Sequence, residues 1–220
     1  LRHEGGPLAE RNLESASAHP VGTLTVDPPQ RFSVLAQLLA QDASFRPDAA
    51  AIDTALLVLR VTVGVTMALH GYGKFFQGGR IPGTAGWFDS MGMRPGKVMA
   101  LMAASTEVGA GLGLAVGLLT PLMAAGIVGL MIVAGWTVHR KEGFFIVKSG
   151  WEYNMILAVA AVGVAMLGPG TYSLDHAFGL DDTLSGWLGL AVSAGLGILG
   201  GVGLLVAVYR PPAPEAADAS

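Results

Sequence analysis

Apolar residues in this chain gather into five long runs, and most of its Lys, Arg and Asp lie outside them, in the connections and the two flanks. The runs cover residues 52–76, 97–118, 121–138, 152–167 and 184–209. An α-helix rises 1.5 Å per residue, so roughly 20 residues cross the hydrocarbon core of a bilayer. The pattern therefore predicts five membrane-spanning helices, the fourth near the lower limit of length, and an all-α polytopic membrane bundle. Asp48, behind Pro47, is placed to cap the first helix. Gly117-Leu118-Leu119-Thr120-Pro121 is a tight break, and Pro121 suits the first turn of the third span. Spans joined so tightly must pack antiparallel.

The flanks have a different character. Residues 1–50 form a polar, Pro-bearing tail in which Phe32, Leu35, Leu38 and Leu39 share one helical face, a pattern that predicts an interfacial helix over 31–41. No apolar core follows Leu1-Arg2-His3-Glu4, so this start is not expected to be a signal peptide. Residues 210–220 are rich in Pro, Ala and acid and read as disordered. Composition agrees with the pattern: 52% of residues are hydrophobic and 13% charged, about half the charge of a soluble domain. The 32 glycines lie mostly inside apolar runs, where spanning helices tolerate them. The chain has no cysteine, which excludes disulfides, Cys-ligated zinc or Fe–S clusters and thiol cycling within it. A net charge of -3 gives no sign of nucleic-acid binding, and no metal site is predicted.

Charge is distributed by side. Lys74, Arg80, Arg94 and Lys97 flank the first connection, Arg140, Lys141 and Lys148 the third, and Arg210 the last span. The opposite connections are neutral at Thr120 or acidic at Asp175, Asp181 and Asp182. The excess of Lys and Arg predicts a multi-pass protein of the cell membrane with its basic face and C-terminus in the cytoplasm, although Arg46 opposes this orientation.

Ionisable groups within spans are costly and direct attention to function. At 100° per residue, Arg60, Gly64, Met67, His70, Gly71 and Lys74 share one face of the first span. Ala100, Ala103, Ala104, Glu107, Gly111 and Leu114 share one face of the second. Small residues let backbones approach closely, so these faces are expected to meet. Arg60 and Glu107 are expected to form an intramembrane ion pair, with Lys74 too near the interface to be the main partner. A second group, His70, Lys74, His139, Glu152 and Tyr153, gathers where alternating spans end on the basic side, and forms the candidate ligand site. The plainer reading makes Arg60–Glu107 a structural pair and the two histidines interfacial residues. The sharper one makes the histidines haem ligands or donors to a quinone. On the fifth span Gly189, Ser193, Gly197 and Gly201 form a small-residue stripe for packing onto the bundle or onto another subunit.

In order along the chain, these motifs resemble the DoxX family. His70-Gly71-Tyr72-Gly73-Lys74-Phe75, preceded by Arg60, is similar to the end of that family's first span. Trp87-Phe88 to Met91-Gly92-Met93 resembles its short amphipathic segment. Glu107-Val108-Gly109-Ala110-Gly111 and Gly117-Leu118-Leu119-Thr120 resemble its second-span signature. His139 with Gly143-Phe144-Phe145, Glu152-Tyr153-Asn154, and Gly168 to Asp175 follow in order. The resemblance implies a four-helix membrane domain over residues 51–176, to which the tail and the span at 184–209 are additions. It also implies membership of a redox membrane complex, with a quinone as candidate cofactor and membrane or peripheral redox proteins as partners. The alternatives are a non-catalytic scaffold that recruits partners through the last span and, lowest, a small-solute or proton transporter using Glu107 and Arg60. The chain has no convincing inverted repeat to support the transporter.

Overall fold

A computed structural model describes residues 48–211. The expected interfacial helix at 31–41 and the distal part of the C-terminal tail lie outside the described residues. The helices are α1 (Ala49–Phe76), α2 (Arg80–Met91), α3 (Gly96–Val116), α4 (Thr120–Glu142), α5 (Glu152–Leu167), the single turn α6 (Leu174–Ala177) and α7 (Gly186–Val208). α1, α3, α4 and α7 are long and apolar enough to cross a membrane, and α5 is a shorter apolar helix of 16 residues. All five expected runs are thus helical. Asp48 caps α1 by accepting the Ala50 N–H at 3.0 Å, and Pro121 sits in the first turn of α4.

The core is a four-helix unit. Val63 and Met67 of α1, Ala110 and Leu114 of α3, Ala124, Ile127 and Met131 of α4, and Leu157, Ala161 and Val164 of α5 form one buried cluster. The expected small-residue faces of α1 and α3 do meet, and they make the most extensive helix pair. A Cβ at Gly111 would stand 2.5 Å from the Gly64 carbonyl oxygen, and one at Gly71 would stand 2.7 Å from that of Ala104. Without hydrophobic gain in lipid, this close backbone packing is what draws the two helices together.

α7 lies outside that cluster and packs on α4 and α5. Its small residues explain how. A Cβ at Gly197 would meet the Val128 side chain at 2.6 Å, one at Gly201 would meet the Gly129 carbonyl at 2.9 Å, and one at Gly189 would collide with the Ala165 carbonyl. Ser193 is buried and returns its hydroxyl to the Gly189 carbonyl at 2.7 Å. Of the two surfaces the stripe can serve, it serves the chain's own bundle. The far end of α7 is tied down as well: the Arg210 N–H donates to the Gly92 carbonyl at 2.8 Å, and Met93 bridges to Tyr209. π turns interrupt α4 at Gly135–His139 and α7 at Ala191–Leu196. Such insertions shift the residues that follow around the helix axis and recur at functional sites.

Candidate functional site

The predicted partnership of Arg60 with Glu107 is overturned. Lys74 Nζ donates to both oxygens of Glu107, at 2.6 and 2.7 Å. The register of α1 against α3 explains this. Gly71 stands level with Ala104 and Glu107, so Lys74, one turn nearer the basic end, reaches back along its four-carbon stem. Arg60 lies about 16 Å further along α1 at 1.5 Å per residue. Counting depth from the two helix ends treats those ends as level, but α1 has 28 residues and α3 has 21.

Arg60 instead serves the opposite end of the bundle. It is fully buried. Its Nη1 donates to the Ala115 carbonyl at 3.2 Å and its Nη2 to the Tyr172 carbonyl at 2.5 Å. Ala115 is in the last turn of α3, where carbonyls lack helical partners and the helix dipole is negative. Beyond it Gly117 turns the chain with φ +67°, and a Cβ there would strike Arg60 Nη1 and Ser173. α4 then begins with no capping side chain of its own. Asp175 fills that role from a distant segment: one oxygen accepts the Leu119 N–H at 2.7 Å, and the other accepts the Thr120 N–H at 2.9 Å and the Thr120 hydroxyl at 2.7 Å. The Asp175 N–H donates to the Gly117 carbonyl at 2.8 Å. A cation thus sits on the end of α3 and an anion on the start of α4, each matched to its dipole. Sequence reasoning placed Asp175 in a loop motif and missed this role; an acid following a Gly-Leu-x-Thr break by some 55 residues carries no local pattern.

The Lys74–Glu107 pair forms one end of a cavity of about 620 Å³, within the usual range for small-molecule sites. His70, Lys74, Glu107, His139, Tyr153 and Asn154 line it, so the cavity collects four of the five residues expected at the ligand site. The rings of His70 and Tyr153 are neighbours, tilted 51° to each other with centroids 6.2 Å apart. His139 Nδ1–H donates to the Ser149 carbonyl at 2.6 Å. That bond fixes the tautomer and leaves Nε2 of the neutral ring as an acceptor. Asn154 Nδ2 faces the Met131 sulfur at 3.6 Å, and its Oδ1 is buried without a donor among the described residues. Glu152 is the exception. Its carboxylate accepts the Ile146 N–H at 2.9 Å and braces the turn between α4 and α5, and it does not line the cavity. As the first residue of α5, it is close to the site in sequence but turned to its own loop.

The remaining walls are apolar. Trp87 and Phe88 of α2 contribute to them, as do the side chains of Met67, Met93, Met99, Met102 and Met131. Met adapts to ligands of varied shape. The arrangement offers a polar end with donors and acceptors, near the basic face, and an oily remainder. Fold and site together define a polytopic helical membrane protein with an ion-paired cavity near one face. The DoxX family model matches residues 55–140, from α1 into the end of α4. The motif-like residues from 143 to 175 and all of α7 lie beyond the matched stretch. No curated protein and no solved structure matches the chain.

Proposed function

We propose that this protein is a membrane subunit of a redox system in which the cavity holds a quinone, its ring at the polar end and its tail in the apolar part. The observation that carries the reading is the cavity itself, which gathers His70, Lys74, Glu107, His139 and Tyr153 around one space beside an oily chamber. A quinone carbonyl needs a donor, and Lys74, Tyr153 and His70 are available. A reduced ring needs acceptors, and His139 Nε2 and Glu107 are suited to that. The basic face, where the polar end lies, is the cytoplasmic one on positive-inside grounds. Protein partners, soluble or membrane-bound, would dock on that face and exchange electrons with the bound ring.

A quinone analogue titrated into the purified protein in nanodiscs tests the reading. One hydrogen bond lost is worth roughly tenfold in affinity. His70→Ala and His139→Ala should each weaken binding by about that factor, while Glu152→Ala should not. Unchanged affinity in both histidine variants would remove the site. The scaffold reading has lost the feature that distinguished it, because the glycine stripe of α7 is taken up by α4 and α5.

A further inference from the structure

We infer that α7 and α3 frame a lateral, lipid-facing portal into the cavity, and that the ligand's single hydrocarbon tail leaves through it past Gly200. This rests on the quinone reading above and adds the route of entry and the residues that control it.

Three observations converge. First, the cavity wall includes residues that are themselves exposed on the outside of the bundle: Met102 of α3, Leu122 at the start of α4, and Leu196 and Gly200 of α7. A residue that both lines a cavity and faces outward marks its mouth. Second, α7 packs on α4 and α5 but has no substantial packing with α3 among the described residues, so the two helices flank an opening. Third, the opening is bounded at the basic end, where Gly92 and Met93 are bonded to Arg210 and Tyr209. This strap joins the two sides of the gap at that end and leaves the rest of its length facing lipid.

The glycines of α7 divide by role. Gly197 and Gly201 meet α4 so tightly that no side chain fits, whereas a Cβ at Gly200 would meet nothing within 4 Å. Gly200 is therefore not required for packing, yet it lines the cavity. Its missing side chain keeps the passage open. Gly203 is equally unhindered but does not line the cavity. The portal wall is apolar at Met102, Leu122, Leu196 and Leu204, which suits a hydrocarbon tail and not a charged headgroup. His70 and Trp87 also line the cavity and are exposed near its polar end, so the portal is the opening on the lipid side, and a ligand taken up from the bilayer would enter it ring first with its tail trailing.

The test uses the full chain in nanodiscs and two probes, a long-alkyl-tailed quinone analogue and its tailless parent ring. Forcing bulk into a passage costs binding on the scale of overpacking, so Gly200→Trp should weaken the tailed probe by about tenfold or more. The tailless ring should bind this variant as it binds the wild type. Met102→Trp, from the opposite side of the mouth, should repeat the result if Gly200→Trp does not fold. Gly203→Trp should leave both probes unaffected. Tailed binding that survives both plugs would overturn the portal. If the wild type binds neither probe, the quinone reading itself falls.

Discussion

Two charged centres lie at opposite ends of the same bundle, and they use their charges differently. At the acidic end, Arg60 is spent on two backbone carbonyls and Asp175 on the backbone of Leu119 and Thr120 together with the Thr120 hydroxyl. The hydrogen bonds made there by these two side chains all go to backbone or side-chain groups at helix ends and in the connections between helices. At the basic end Lys74 and Glu107 answer each other and stand in the wall of a cavity, with side chains 22% and 10% exposed. Burial of charge alone therefore does not mark a functional site in this membrane protein. What separates the two centres is whether the charged groups close on the protein's own backbone or face a space that a ligand can occupy.

Substitutions can break or sharpen that contrast. The largest effect is expected at the acidic end. Asp175→Ala leaves the start of α4 uncapped and strips the Leu119 and Thr120 N–H groups and the Thr120 hydroxyl of their acceptor, and losing a cap with several buried donors left unsatisfied costs about 3–5 kcal/mol. Thermal unfolding in detergent should show it, and an Asp175→Ala protein as stable as wild type would contradict the structural assignment. Lys74→Met comes next, at about 2–3 kcal/mol, because it strands Glu107 within the bundle. Adding Glu107→Gln should recover part of that loss. Combined with Arg60→Met instead, Glu107→Gln should be additive to within about 0.5 kcal/mol, since distant sites do not couple. Coupling between Arg60 and Glu107 would restore the pairing that the register forbids.

Gly117→Ala should cost about 1–3 kcal/mol, because it places a methyl group against Arg60 at a positive φ. Its effect should shrink in an Arg60→Met background, which a double-mutant cycle would reveal. The smallest effect belongs to an exposed pair on the acidic side, where His176 Nδ1 lies 2.7 Å from Asp181. The hydrogen bond to Asp181 raises the His176 pKa above its ordinary 6.5, aided by the charges of Asp181, Asp53 and Asp182, and lowers that of Asp181 below its ordinary 3.8. The contribution from His176 is complete below 6.5 and fades as pH rises through its raised value. That from Asp181 is complete above 3.8 and fades as pH falls through its lowered value. The difference in melting temperature between wild type and His176→Asn should therefore peak in the window between those two ordinary values. A difference that is flat with pH would show that the pair does not form in solution.

The candidate site was half legible. Residues at helix ends fall on one side of an alternating bundle by connectivity alone, so His70, Lys74, His139 and Tyr153 group together from the sequence, and all four line one cavity. Glu152 was grouped with them for the same reason, but connectivity says where a helix end lies and not which way its first side chain turns. Methionine and glycine at the cavity wall read only as apolar filling, because nothing local distinguishes a residue facing a void from one facing lipid.

The helices themselves were fixed by chemistry that needs no partner. A run of about 20 uncharged residues in hydrocarbon must satisfy its own backbone, and the helix is the single-chain solution. Which faces of α1 and α3 would touch followed as well, because small residues recur at helical spacing. Tertiary structure decided the rest through register. A slide of a few residues between two antiparallel helices moves a side chain by several ångströms, further than a hydrogen bond can stretch. That slide gave Glu107 to Lys74 and left Arg60 to the turn at Gly117, while the packing of the segment after α5 brought Asp175 to the start of α4. No pattern along the chain encodes the slide, because it is the sum of every close contact between the two helix faces.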